Sequence, residues 1–163
     1  GASGGVMEAA LRTVTDVLTK EDLTNLDYHA VRGEEGVKEA SLKIGDMTVN
    51  VAVAHSMVLA KPLLEEIKNG TSKYHFIEIM GCPGGCVNGG GQSYVNALTR
   101  NSGFDWKQAR AKALYDEDLA LPVRKSHKNS QIQKLYADFL GEPNSEKAHH
   151  LLHTHYTRKE RFK

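Results

Sequence analysis

The chain has 163 residues, of which 40% are hydrophobic and 25% charged, as is ordinary for a globular protein of about one domain. The formal net charge of +1 argues against a strongly basic nucleic-acid surface, and two cysteines are too few for a disulfide scaffold. There is no apolar run of about 18 residues that would span a membrane, and Gly1–Gly5 is not a signal peptide. We therefore expect a cytoplasmic protein that binds neither nucleic acid nor membrane.

Hydrophobic spacing predicts the elements of the first part of the chain. Apolar residues recur at helical intervals from Val6 to about Thr19. Strict alternation on both sides of Gly45-Asp46 predicts a β-hairpin that ends near Ala54. A helix is predicted over Met57–Ile67, and the apolar run Tyr74–Met80 is typical of a buried strand.

The chain beyond Gly103 has a different pattern. Helical spacing predicts three helices there, Trp106–Leu114, Gln131–Leu140 and Glu146–Tyr156. Between the first two, Asp116–Asp118 is interpreted as a solvated turn. Residues 1–106 carry 9 Lys or Arg and 13 Asp or Glu, whereas residues 107–163 carry 12 and 7. We predict an α/β lobe over residues 1–104 and a helical C-terminal tail over residues 105–163. The fold class is α/β, with a small mixed sheet that contains a hairpin and is flanked by helices.

The most unusual segment lies directly after the predicted buried strand. Six of the 15 glycines and both cysteines fall between Gly81 and Gly91, and Cys82 and Cys86 form a C-x-x-x-C pair. Loops at strand ends are common ligand sites in α/β folds, and glycine lets the backbone approach a bulky group closely. Two thiolates surrounded by backbone N–H groups suit an iron–sulfur cluster, whose sulfurs accept hydrogen bonds.

The segment lacks the residues that several other kinds of site require. Gly90 and Gly91 stand where a phosphate loop needs Lys and Ser or Thr, no G-x-G-x-x-G occurs, and a thioredoxin-type pair is C-x-x-C. A structural zinc would need two more ligands, for which His55 and His75 are distant candidates. A further interpretation is an ordinary turn that holds two buried thiols and no ligand. A cubane cluster wants four cysteines, and the chain has two.

Residues 78–92 resemble the third signature motif of the [FeFe] hydrogenases, in which an acidic residue, Met and a small residue precede C-P-G-G-C-x-x-G-G-G-Q. Gly1–Arg12 is similar to the glycine turn and helix of that family. Further similarity lies in the tail, at 124–129, 135–136, 139–141 and 152–156. The resemblance covers nearly the whole chain, and tail residues 105–163 would be its small-subunit-like region.

The resemblance implies a six-iron H-cluster, in which a [4Fe-4S] cubane is joined to a two-iron unit. Cys82 and Cys86 would be cubane ligands, with the Cys86 sulfur bridging to the two-iron unit. Met80 would line the two-iron pocket and Gly1 would lie close to it, while glycines of the loop, including Gly84 and Gly85, would give the cluster clearance. Glu78 is interpreted as a hydrogen-bonded structural acid rather than a proton relay. No catalytic side chain is assigned within these 163 residues.

The function that the resemblance implies is 2H⁺ + 2e⁻ ⇌ H₂, with electrons from ferredoxin or a similar carrier. The first two signature motifs of the family are absent, and with them two cubane ligands and the proton-delivering cysteine. We therefore expect a fragment that alone lacks the complete H-cluster and is inactive, and that needs a missing N-terminal half of the catalytic domain. The alternatives are a hydrogen sensor, an iron–sulfur assembly protein, or a stand-alone domain with free thiols.

Overall fold

The structure, a computed structural model, describes residues 1–33 and 36–160, and its chain forms two compact units. The first unit is Gly1–Arg124, and the second begins at Lys125. The division predicted between residues 104 and 105 stays a prediction. The first compact unit ends 20 residues further along the chain, at Arg124. No helix in the described ranges is both long and apolar enough to cross a membrane.

A three-stranded mixed sheet forms the centre of the first unit. Strands β1 (Lys38–Ile44) and β2 (Met47–His55) are antiparallel and are joined by the two-residue turn Gly45-Asp46. Strand β3 (Phe76–Met80) pairs in parallel with β2, and the strand order is β1-β2-β3. The mixed sheet and its hairpin confirm the predicted fold class.

Strand β3 begins two residues later than predicted, for a reason visible in the hydrogen bonds. The Asn50 N–H donates to His75 Nδ1 at 3.0 Å, and the His75 N–H donates to the Asn50 carbonyl at 2.8 Å. An imidazole therefore replaces a backbone acceptor at the start of the ladder. Regular pairing begins at the next residue, Phe76.

The central strand β2 is buried on both faces. On one face, Val51 and Val53 pack with residues of helix α1 (Gly5–Thr19), including Met7 and Leu11. On the other face, Ala52 and Ala54 pack with Leu63 of helix α2 (Met57–Lys68). Burial of these side chains fixes the strand register, because a shift by one residue would exchange the two sets between faces.

Two more helices complete the first unit. The short helix α3 (Ala97–Asn101) was not predicted; Asn96 caps it by accepting the Thr99 N–H. Helix α4 (Trp106–Ala120) begins at Asp105, whose carboxylate accepts the N–H groups of residues 107 and 108. The interpretation of Asp116–Asp118 as a turn is wrong, because α4 continues through these residues.

The second unit is helical, as predicted. Helix α5 (Ser130–Leu135) continues into a π-helical turn (Tyr136–Leu140), which ends at Gly141. Helix α6 (Glu146–Leu152) is shorter than predicted, because His153 already has extended dihedral angles. Leu140 and Ala148 are buried.

Candidate metal centre

The two cysteines lie on the loop that leaves the end of β3. Cys82 is half-buried, Cys86 is exposed, and neither forms a disulfide. The Gly85 N–H donates to the Cys82 carbonyl at 2.9 Å, which closes a turn between the two thiols. Cys86 then begins a short 3₁₀ turn, Cys86–Asn88. The loop thus presents two free thiols at the carboxyl end of strand β3, and ligands of α/β folds bind at the carboxyl ends of strands.

The first three residues of the chain brace this loop. The Ser3 N–H donates to the Gly84 carbonyl at 3.0 Å, and the Val87 N–H donates to the Gly1 carbonyl at 3.2 Å. Between these bonds, Ala2 and Gly85 form an isolated antiparallel bridge. The backbone of residues 1–3 therefore fixes the loop both before and after Cys86.

Gly85 is at the point of closest approach. A Cβ atom there would lie 2.6 Å from the Ser3 nitrogen, 2.7 Å from the Gly1 carbonyl oxygen and 2.8 Å from the Met80 sulfur. The residue also has φ +94°, which favours glycine. Only glycine fits here, and the Met80 thioether consequently packs directly against the loop.

The glycine run that follows is more open. A Cβ at Gly89 would make an ordinary contact with the Cys82 Sγ at 3.6 Å, whereas nothing described lies within 4 Å of a Cβ at Gly90 or Gly91. The side of the loop beside Cys82 is therefore kept free of side-chain atoms by Gly89. This clearance is what a bulky group bound to the cysteine sulfurs would need.

Glu78 ties strand β3 to the start of helix α1. Its carboxylate, in a residue that is 6% exposed, accepts the Gly4 N–H at 2.7 Å and the Met7 N–H at 2.6 Å. Gly4 provides no side-chain cap itself. Its φ of +91° favours glycine, and a Cβ there would also collide with the Val31 carbonyl. The Glu78 carboxylate is hydrogen-bonded, as predicted, and its role as a structural acid rather than a proton relay stays a prediction. A carboxylate at this position also stabilises the positive end of the helix.

Arg110 of α4 contacts the loop from the other side, and sequence reasoning missed it. Its Nη1 donates to the Val87 carbonyl at 2.9 Å, and its Nη2 donates to the Ser93 carbonyl at 2.7 Å. One turn further along α4, Leu114 packs against Gly1, where an added Cβ would lie 2.6 Å from the Leu114 Cδ1. Helix α4 therefore forms one wall of the loop.

Three arginines and three carboxylates hold α4 in this place through a closed ring of alternating charges, which we call the ion-pair ring. Each neighbouring pair has an N–O distance between 2.6 and 3.1 Å. In order around the ring, its members are Arg12, Glu8, Arg32, Asp27, Arg124 and Asp118. The ring joins α1, the segment before β1, and the C-terminal part of α4.

The ion pairs of the ring shift the pKa values of several of its members. The hydrogen bond from Arg12 holds the pKa of Asp118 below its ordinary value, and the bond from Arg124 does the same for the pKa of Asp27. In turn, the pKa of Arg12 is raised, principally by Asp118. These shifts favour the charged forms of Arg12, Asp27 and Asp118.

A cavity of about 910 Å³ lies beside residues 1–3, between them and α4. Ala2, Gly84 and Tyr115 are among the residues that line it. The Tyr115 ring lies under the Arg32 guanidinium, with 4.1 Å between the guanidinium carbon and the ring centroid, and burial raises the Tyr115 pKa. Within the described ranges, the buried Tyr115 hydroxyl and Ser3 Oγ have no hydrogen-bond partner.

The donor atoms of the loop can be compared with those an iron–sulfur cubane requires. Two free thiols on a glycine loop fit two of its four cysteine ligands. Among the described residues, no group of three or more His, Cys, Asp or Glu side chains is arranged to hold a metal ion. The residues therefore fit half of a cubane site and do not form a closed zinc site.

The sequence also matches two protein-family models. Residues 1–90 match the model described as iron only hydrogenase large subunit, C-terminal domain. The chain belongs to this hydrogenase family. Residues 105–159 match a second model of the same enzymes, described as iron hydrogenase small subunit. The predicted resemblance is confirmed.

Individual proteins agree with this membership. The NADP-reducing hydrogenase subunit HndD of Solidesulfovibrio fructosivorans is 45% identical over 162 residues, which are 99% of this chain and 27% of that subunit. A cytosolic Fe-S cluster assembly factor of Danio rerio, narfl, is 30% identical over 94% of this chain and 36% of its own length. A solved [FeFe]-hydrogenase, HydA1 of Chlamydomonas reinhardtii, superimposes with a TM-score of 0.69 at 36% identity, covering 96% of this chain and 45% of that one. The chain thus spans about a quarter to under half of the length of these proteins.

The hydrogenase motif residues named from the sequence all lie at one place in the first unit. The structure brings Gly1, Met80, Gly84 and Gly85 together around the loop that carries Cys82 and Cys86. Their roles toward a cluster remain predictions.

Proposed function

We propose that Cys82 and Cys86 would supply two of the four thiolate ligands of the [4Fe-4S] cubane of an H-cluster, with Cys86 the one nearer its two-iron unit. The observation that carries this proposal is the pair of free thiols on a glycine loop braced by residues 1–3. The remaining ligands would come from the N-terminal half of the catalytic domain, which longer relatives have. The 163-residue chain alone would then be inactive.

The proposed activity is that of the parent enzyme, the reversible reaction 2H⁺ + 2e⁻ ⇌ H₂. When bound, the H-cluster supplies the centre at which protons and electrons combine. This chain would contribute ligand sulfurs, backbone clearance at Gly84 and Gly85, and an apolar wall formed by Met80, close to Gly1. Ferredoxin or a similar carrier would exchange the electrons, and we propose a cytoplasmic location.

Anaerobic reconstitution tests the ligand assignment. The chain is incubated with iron, sulfide and 2-mercaptoethanol, which can complete the coordination of a cluster held by two protein thiols. We expect thiolate-to-iron charge-transfer absorption in the wild-type chain and its loss in Cys82→Ser and in Cys86→Ser. Met57→Leu is the control, because it removes a sulfur that is exposed and distant in sequence from the loop. Absence of this absorption in the wild type, or its persistence in Cys86→Ser, would contradict the proposal.

A second candidate function is iron–sulfur cluster assembly or sensing without hydrogen turnover. The similarity to the Danio rerio assembly factor favours it, although at 30% identity against 45% for the hydrogenase subunit HndD. Hydrogen evolution from reduced methyl viologen distinguishes the two, measured on a longer protein that contains this chain. Evolution supports the hydrogenase function, whereas a bound cluster without evolution supports the alternative.

A further inference from the structure

One stripe of helix α4 carries three consecutive contacts to the cysteine-bearing part of the fold. Arg110, Leu114 and Asp118 are spaced four residues apart and therefore share a helix face. Arg110 contacts the loop, Leu114 contacts Gly1, and Asp118 contacts Arg12 in the ion-pair ring. The stripe lies in the region matched by the small-subunit model.

The two bonds of Arg110 enclose the glycine run. Val87 directly follows Cys86, and Ser93 lies beyond Gly89–Gly91, so one guanidinium joins the two ends of this segment. Consecutive glycines have the greatest backbone freedom to lose on ordering, and Gly90 and Gly91 meet no other group within 4 Å of where a Cβ would lie. The Gln92 N–H also donates to the Gly89 carbonyl at 3.1 Å and closes a turn over the run. Among the described contacts, the guanidinium joins the residues on the two sides of that turn, Val87 and Ser93.

Val87 passes this restraint to the second cysteine. Its side chain is 3% exposed, and its N–H donates to the Gly1 carbonyl. Its own carbonyl accepts from Arg110, so both polar groups of the Val87 backbone are fixed. Cys86 is the preceding residue, and its carbonyl accepts the Gly89 N–H at 2.9 Å. Opening of the glycine run would therefore release the backbone of Cys86.

We propose that Arg110 is a positioning residue that fixes Cys86, so that the small-subunit-like region takes part in forming the ligand site. The inference rests on the proposed function, because the position of Cys86 is important for function only if Cys86 is a cluster ligand. A planar guanidinium presents parallel donors to two carbonyls, whereas a lysine ammonium is a single point on a flexible stem. Arg110→Lys therefore keeps the charge and removes the bridge.

Native-state amide hydrogen exchange on the 163-residue chain measures the restraint. We expect exchange at Val87, Gly89 and Gln92, whose N–H groups all donate to carbonyls of this segment or of Gly1, to rise about tenfold in Arg110→Lys. Exchange in the core strand β2 should stay unchanged. Lys112→Gln is the matched control: it removes a cation from the same helix, and its only ion pair among described residues is with Asp116.

Cadmium binding measures the positioning of the cysteine itself. Cd²⁺ is a soft ion that two thiolates hold, and its ultraviolet charge-transfer band reports binding. We expect the affinity for Cd²⁺ to fall about tenfold in Arg110→Lys and to be unchanged in Lys112→Gln. A merely structural role would lower overall stability without changing this affinity at temperatures where the variant is folded.

Two outcomes would overturn the inference. Unchanged loop exchange in Arg110→Lys would show that the bridge does not restrain the glycine run. Increased exchange with unchanged Cd²⁺ affinity would show that the restraint does not reach Cys86. Neither outcome bears on whether iron and sulfide assemble on the wild-type chain, so failure here is distinguishable from failure of the proposed function.

Discussion

Arg12 is a position where we expect even a conservative substitution to weaken the fold. The residue is 5% exposed, and its guanidinium donates twice to Asp118 and once to Glu8. It also donates to the carbonyls of Leu26 and Arg124, at 2.8 and 3.0 Å. One side chain therefore joins α1, the segment before β1 and the C-terminal part of α4.

The expected loss follows from what each partner retains. Removal of one member of a buried ion pair costs about 3–5 kcal/mol when the other charge is stranded. Glu8 and Asp118 are not stranded, because Arg32 and Arg124 still contact them. Arg12→Lys keeps a charge but cannot reach all of these acceptors, so we expect a loss of about 2 kcal/mol. Arg12→Met should cost about 3 kcal/mol, within the lower part of that range.

Urea unfolding followed by Trp106 fluorescence is the assay, because the single tryptophan lies at the start of α4 in the first unit. A double-mutant cycle with Asp118→Asn should give a coupling energy of about 1.5 kcal/mol, within the range for contacting residues. Arg100→Lys, an exposed substitution on α3, is the control and should change stability by less than about 0.5 kcal/mol. Arg12→Lys within about 0.5 kcal/mol of wild type, or a cycle that is simply additive, would refute the reasoning.

Three further predictions concern acid stability, the close approach at Gly85 and the cap of α1. Because the pKa of Asp118 is lowered in the folded state, the unfolded chain binds more protons near pH 4, so the stabilising effect of Asp118 is present above that pH and is lost as the pH falls. Asp118→Asn should therefore make the free energy of unfolding less dependent on pH in the acid range. An unchanged dependence would contradict this. Gly85→Ala should lower the free energy of unfolding by about 2 kcal/mol or more, whereas Gly90→Ala, which meets open space, should be nearly neutral; equal effects in urea unfolding would show that the close contacts are unimportant. Glu78→Gln leaves a backbone N–H at the start of α1 facing the amide NH₂ group. It should lower the free energy of unfolding by about 1–2 kcal/mol and speed amide exchange at Gly4 or Met7. The exposed substitution Glu65→Gln is the control, and equal effects of the two substitutions would exclude the capping role.

Local pattern accounts for the parts of the fold that the sequence predicted. Alternation around Gly45-Asp46 identified the hairpin, because the pleat of a strand places successive side chains on opposite faces. The apolar run before Met80 likewise identified a buried strand, although its start depends on the imidazole of His75, which no pattern reveals. The glycine and cysteine content of the loop was sufficient to locate the candidate site.

Arg110 and Asp118 show what pattern could not reveal. Both are charged residues on a helix with no buried residue, so they resemble any solvated helix face. Asp118 pairs with a residue 106 positions away, and Arg110 with carbonyls that any residue could offer. Long-range ion pairs and side-chain bonds to the backbone leave no local signal. The spacing of eight residues from Arg110 to Asp118, two steps of four that place both on one helix face, is visible in the sequence, but only the structure gives their partners.

The ion-pair ring also holds residues 1–91 against α4 independently of the chain segment that connects them. Residues 1–91 are joined to α4 by the ion pair of Arg12 with Asp118 and by the hydrogen bond of Arg110 to Val87. They are joined to the residues directly after α4 by the ion pair of Asp27 with Arg124. The connecting residues 94–104 are mostly exposed. A chain cleaved in this connection would therefore stay assembled through charge pairs that bury opposite charges in equal number. Helix α4, which lies in the region matched by the small-subunit model, is thus held to residues 1–91 by side-chain contacts as well as by the covalent chain.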